Sequence, residues 1–81
     1  MDVHGKNVLV SGAGGGIGGA LVAELVARGA ARVYAAARDV AAVEPLVRHS
    51  GGRVVAVPLD VTDEGSVARA LTQSPDTDIL I

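Results

Sequence analysis

At 81 residues the chain has room for one small domain, close to the size at which a single core is only marginally sufficient. Its 49% apolar residues are almost all aliphatic, with one Tyr and no Phe or Trp, and its net charge of −2 is scattered, so neither base-stacking platforms nor a basic phosphate-tracking surface is available for a nucleic acid. The absence of cysteine excludes a disulfide framework or a thiolate metal site, and a polar opening followed by apolar stretches far short of the ~20 residues of a membrane span leads to the expectation of a cytoplasmic protein with no membrane partner.

Met1 to Lys6 is a short polar lead, in which His4 has no partner nearby and reads as solvated. Asn7 to Val10 is a first strand. It breaks into five glycines within the seven residues Gly12 to Gly18, and a helical pattern follows. Glycine takes positive φ and carries no Cβ, so such a turn lets a ligand approach the backbone closely. The amides opening the next helix have no intrahelical partner and lie at the positive end of its dipole, a combination that suits a phosphate or pyrophosphate.

Spacing selects among phosphate loops. An ATP-type loop ends in Gly-Lys-Ser/Thr, and the only lysine, Lys6, precedes the strand. Gly14, Gly16 and Gly19 fit Gly-x-Gly-x-x-Gly but start late after the strand. The register Ser11-Gly12-x-x-x-Gly16-x-Gly18 starts directly at the strand end and puts Ile17 where an apolar side chain can anchor the helix. In this register the chain resembles the short-chain dehydrogenase/reductase family. Gly12, Gly15 and Gly18 also fit Gly-x-x-Gly-x-x-Gly, which resembles the extended, epimerase-like branch of the same superfamily, so the branch stays open.

From Ile17 to Arg28, Ile17, Leu21, Val22, Leu25 and Val26 fall on one helical stripe, and Gly29 supplies the stop. Val33 to Ala37 reads as a second strand, with Tyr34 inside it as a structural residue. A second helix is expected from Asp39 or Val40 to about His49, beginning late or kinked at Pro45, and Ser50-Gly51-Gly52 breaks it. Arg53 to Leu59 suits a third, buried strand, which Pro58 makes either an edge or finishes. Asp60-Val61-Thr62 follows. Thr62 or Asp63 caps a third helix, Glu64 to Thr72, with Val67, Ala70 and Leu71 apolar. After a loop from Gln73 to Thr77, Asp78 to Ile81 opens a fourth strand.

The order β-α-β-α-β-α-β with short connections predicts an α/β fold: a parallel sheet with right-handed crossovers and helices on both faces. In a three-layer, Rossmann-type doubly wound sheet this is the first half, with strand order 3-2-1-4. Residues 1–81 then read as the N-terminal part of one NAD(P)-binding domain. The second strand ends in Ala37, with no acid to repel a 2′-phosphate, and Arg38 offers a planar fork of donors suited to one. Asp39 could instead serve as a ribose-binding acid if that strand ran longer.

The resemblance implies that Arg38 selects NADP over NAD, that Asp60 bonds the adenine while Val61 covers its ring, and that Gly12, Gly14, Gly15, Gly16, Ile17 and Gly18 hold the pyrophosphate. Asp60 can equally cap the following helix. The resemblance further implies an intact enzyme, homo-oligomeric, that transfers a hydride between NADP(H) and a small carbonyl or alcohol substrate. The family's Ser and Tyr-x-x-x-Lys catalytic residues belong to a region after the fourth strand; Lys6 precedes Tyr34 here, so this chain holds no such pair, no catalytic residue and no metal ligand set. Two other readings are an NAD-using epimerase or dehydratase of the extended branch, and a non-catalytic nucleotide-binding module. A fragment of this kind is expected to leave its fourth strand and helix faces apolar and uncovered.

Overall fold

The first strand lies inside the sheet because a small-residue apolar run pairs on one side of it and a short C-terminal one on the other. The computed structural model describes residues 2–81. Strands β1 (Asn7–Val10), β2 (Arg32–Ala37), β3 (Val54–Pro58) and β4 (Ile79–Leu80) form one parallel sheet in the order β3-β2-β1-β4. This is the predicted 3-2-1-4 order of half a Rossmann-type sheet.

Strand alternation divides the core in two. Val8, Val10, Val33, Ala35, Ala37 and Val54 point to one face, where helix α1 (Gly16–Ala27) supplies Val22 and Leu25 and the connection after β2 supplies Val43. Leu9, Tyr34, Ala36 and Val57 point to the other face and meet Ala70 of helix α3 (Glu64–Gln73). Small residues on β2 let helices approach closely from both sides, which accounts for its almost complete burial.

Helix α1 ends as its composition predicts. Gly29 takes φ +88, its amide bonds the Val26 carbonyl and the Ala30 amide reaches back to Leu25, a Schellman closure that needs glycine at its centre. The His4 ring packs over this glycine so closely that a Cβ there would lie 2.6 Å from it.

Several expected boundaries shift for local reasons. The predicted second helix is two pieces, a 3-10 turn Val40–Val43 and a short helix α2 (Glu44–Arg48), because Pro45 fits only a first helical turn and starts the α-helix anew. The third strand is not buried throughout. It is the sheet's edge, finished by Pro58, and Val55 stays 36% exposed on the side that α3 covers incompletely. Asp63, not Thr62 or Asp60, caps α3, accepting from the Gly65 and Ser66 amides. Leu71 is 58% exposed beside β4, so the buried stripe of α3 is Ser66 and Ala70. The fourth strand is only Ile79–Leu80, although the Ile81 amide still bonds the Leu9 carbonyl.

Among the described residues β4 pairs with β1 and is an edge of the sheet, and Val61, Leu71, Leu80 and Ile81 border an apolar groove of about 370 Å³ between α3 and the sheet. Among the described residues no helix is long and apolar enough to cross a membrane.

Candidate functional site

At the C-terminal end of β1 the chain must turn sharply into α1, and glycines do it. Gly12 takes φ +68, a conformation that a side chain disfavours. The Ala13 amide ties the turn to the Ala36 carbonyl of β2, and the Gly15 amide returns to Gly12. Gly18, one turn into the helix, lies against this loop: a Cβ on it would stand 2.2 Å from the Gly12 carbonyl oxygen. Gly18 is therefore what lets helix and turn touch backbone to backbone.

The result is a cleft of about 280 Å³ lined by Gly12, Gly14, Gly15, Ala37, Arg38, Asp39 and Ala42. Gly14 forms its narrow wall, since a Cβ there would come within 3.2 Å of Ala42 and 3.4 Å of Ala37. Gly15 is the N-cap of α1 and contributes no side-chain bond, so the first amides of α1 are left for another acceptor. A Cβ on Gly16 would meet nothing within 4 Å, so the first residue of α1 is open to solvent on its side-chain side. The arrangement can bind an anion through backbone N–H groups, helix dipole and one guanidinium together.

The structure thus gathers Gly12, Gly14, Gly15 and Arg38 around one cleft, with Gly16 at the opening of α1 and Gly18 supporting the turn from behind. Ile17 does not anchor the helix. It is 90% exposed, because a helical Cβ tilts toward the N-terminus and from this first turn projects past the end of the sheet, where no core exists. β2 ends at Ala37, so the condition under which Asp39 would stand at the strand end is not met; its carboxylate accepts from the Ala41 amide and caps the 3-10 turn.

Asp60 and Val61 stand outside the cleft lining. The Asp60 carboxylate accepts from the Thr62 hydroxyl at 2.6 Å and the Thr62 amide at 3.0 Å, while its own amide donates to Ser66 Oγ. These two bonds from Thr62, the hydroxyl's first, hold its carboxyl below the ordinary range, with a smaller contribution from the Arg38 charge. Val61 is 71% exposed and borders the apolar groove. Ala42 was not legible as part of the cleft, since nothing in Val40-Ala41-Ala42-Val43 distinguishes one alanine from its neighbour before the turn is folded.

Residues 6–79 match the family described as short chain dehydrogenase. The chain belongs to this family. The short-chain dehydrogenase stretch is 38% identical over 73 residues to a 2,5-dichloro-2,5-cyclohexadiene-1,4-diol dehydrogenase of Sphingobium indicum, covering 90% of this chain and 29% of that one. It is 36% identical, with a TM-score of 0.87, to a short-chain dehydrogenase of Burkholderia cenocepacia solved in complex with NADP, covering 99% of this chain and 32% of that chain. A 3-ketoacyl-(acyl-carrier-protein) reductase of Brucella melitensis complexed with NADH is 30% identical with a TM-score of 0.78, over 96% of this chain and 34% of that chain. The chain thus spans about a third of the length of these relatives.

Proposed function

We propose that this chain is the dinucleotide-holding part of a short-chain oxidoreductase that uses NADP(H) and acts on a carbonyl or alcohol. One observation carries the reading: the glycine turn and Arg38 line the same cleft, so backbone amides and a guanidinium converge from two strand ends. In this reading Gly12, Gly14, Gly15, Gly16 and Gly18 receive the pyrophosphate at the start of α1, Ile17 lies against the cofactor from the helix's exposed side, and Arg38 takes the adenosine 2′-phosphate. Asp60 accepts from the adenine amino group with Val61 covering the ring. Support for NADP over NAD comes from Ala37 at the end of β2 and from the capping bond that occupies Asp39.

The residues present fit the group: space where a side chain on Gly16 would stand, glycine at every turn position that lines the cleft, and the Arg38 cation at the strand end beside Asp39, one of whose oxygens is taken by the Ala41 amide. When bound, the nicotinamide supplies the hydride chemistry. This chain's own part is to bind, orient and select. Tyr34 takes no part, because its hydroxyl donates to Asp76 at the other end of the sheet.

Calorimetric titration of the chain with NADP+ and NAD+ tests the reading, with Arg38→Ala alongside. NADP+ is expected to bind more tightly by about tenfold, the scale of one charge-assisted phosphate contact, and Arg38→Ala is expected to erase the difference. Equal affinities in the unsubstituted chain would remove Arg38 from the role; binding of neither dinucleotide by the folded chain would remove the site.

A further inference from the structure

The end of α1 that faces the cleft has few side chains to hold it. Of its first five residues, Gly16, Gly18 and Gly19 have no side chain, Ile17 is exposed, and Ala20 is exposed as well. The helix's buried side chains are Val22 and Leu25, in its middle and last turns. Besides the backbone contact at Gly18, the cleft-facing end is held by the main-chain ties of the preceding turn, Ala13 to Ala36 and Gly15 to Gly12, and by half-buried Leu21, so side-chain anchoring of the rod lies mostly toward its middle and far end.

That far end is held by main-chain bonds, the Gly5 amide donating to the Gly29 carbonyl at 2.9 Å and the Ala31 amide to the Lys6 carbonyl at 2.8 Å, and by one side chain, that of Arg53. Its Nε donates to the Ala30 carbonyl at 3.1 Å, and its Nη2 donates to the Val26 carbonyl at 2.9 Å and to Ala30 at 2.6 Å. These carbonyls belong to the closing turn of α1, where a cation is also favoured by the helix dipole. The main chain of Arg53 is itself fixed to the sheet, its carbonyl accepting from the Val33 amide at 2.8 Å. One residue therefore joins β2 to the C-terminal turn of α1 through both its main chain and its side chain. A twelve-residue helix has a fixed rise, about 18 Å in all, so an axial displacement of its C-terminal turn is passed along the rod toward Gly16.

We infer that Arg53 is a positioning residue for the phosphate-facing end of α1. It sets where the amides of Gly16 to Gly18 stand relative to Ala37 and Arg38, although it lies at the opposite end of the helix and touches no ligand. The consequence for cofactor affinity rests on the function proposed above; the geometric claim does not.

The test uses the full chain labelled with 15N, together with Arg53→Met, which keeps the aliphatic stem, and Arg53→Lys, which keeps the charge but only part of the fork. Arg53→Met is expected to move the amide resonances of Gly16 to Gly19 while those of Val67 to Leu71 in α3 stay in place, and Arg53→Lys to give the same pattern at smaller amplitude. Changes confined to Val26–Ala30 and the neighbours of Arg53 would overturn the inference. Should Arg53→Met not fold, Arg53→Lys alone decides by the same criterion. In the binding arm, NADP+ is expected to weaken by about fivefold to tenfold in Arg53→Met, what one or two net hydrogen bonds amount to, while adenosine 2′-phosphate, which has no pyrophosphate, binds as before. Equal loss for both ligands would overturn a positioning role. If the unsubstituted chain binds neither ligand, the reading of the previous subsection falls, and the resonance pattern still decides Arg53.

Discussion

The two ends of the sheet are built on opposite principles. At the N-terminal end polar side chains close on each other: Tyr34 donates to the Asp76 carboxylate, Asn7 Nδ2 donates to the Asp76 carbonyl and carboxylate, and the Asn7 amide donates to Asp78. The loop leading to β4 is thereby tied to β1 and β2. At the C-terminal end the strands run out into glycines, an exposed Arg38 and an Asp60 with one oxygen uncommitted. A buried or half-buried polar group is stable only when satisfied, and the N-terminal end meets that demand with its own side chains, whereas the C-terminal end leaves its polar groups open to solvent and is the end to which the proposed function assigns binding. The contrast teaches that the groups that close the sheet and those proposed to bind stand at different ends of the same four strands.

Three substitutions separate the ends further. The largest effect is expected from Gly18→Ala, whose methyl group would collide with the Gly12 carbonyl and the Ala13 Cα. The backbone has to part, at a cost of about 3 kcal/mol, read as a lower denaturation midpoint, and any dinucleotide affinity is expected to go with it. Retention of native stability would mean that turn and helix need not touch.

Tyr34→Phe addresses the closed end. It leaves the Asp76 carboxylate without its buried donor and is expected to lower stability by about 1 kcal/mol, with cofactor affinity unchanged in the folded protein. A change in affinity at constant folded fraction would show that the two ends are coupled. The phenol itself is held above its ordinary pKa, chiefly by the bond to Asp76 and next by burial, so it stays protonated across the working range of pH.

The smallest effect concerns Asp60. Its folded-state pKa is depressed, so its stabilising bonds to Thr62 are fully present above the ordinary carboxylate range and are lost as the pH falls through that range toward the folded value. Asp60→Asn lacks this contribution at every pH. The stability difference between the two proteins should therefore shrink on acidification, and denaturation curves collected at neutral and acid pH read it directly. A constant difference would show that the Thr62 contacts do not depend on charge.

The parts of the molecule legible in the sequence are those with a local signature. Gly12 to Gly18 announce a turn because glycine density marks one, with glycine required at Gly12 by its φ and at Gly18 by contact, Gly29 announces a helix stop, and four short apolar runs separated by helical spacings call for a parallel sheet, whose 3-2-1-4 order comes from the resemblance to a dinucleotide fold. Arg38 is legible because it directly follows a strand. What escaped is either geometric or distant. Ile17 has the spacing of a core residue but lies beyond the end of the sheet, a fact of helix length and tilt that periodicity does not contain. The partners of Tyr34, Asn7 and Arg53 lie 42, 69 and 27 or 23 residues away, so no window of sequence joins them. Asp39, Asp60 and Asp63 all stand where an acid can close a turn, and only the folded backbone distributes the three roles.

Tyr34 is also the only aromatic residue in the chain, with no Trp and no Phe to overlap it. All near-ultraviolet absorption and intrinsic emission of the polypeptide therefore come from one ring, buried against Ala70 and bonded to the loop before β4. An optical unfolding curve of this protein reports the opening of the closed end of the sheet, and what happens at the glycine turn stays dark until a ligand with its own chromophore is added.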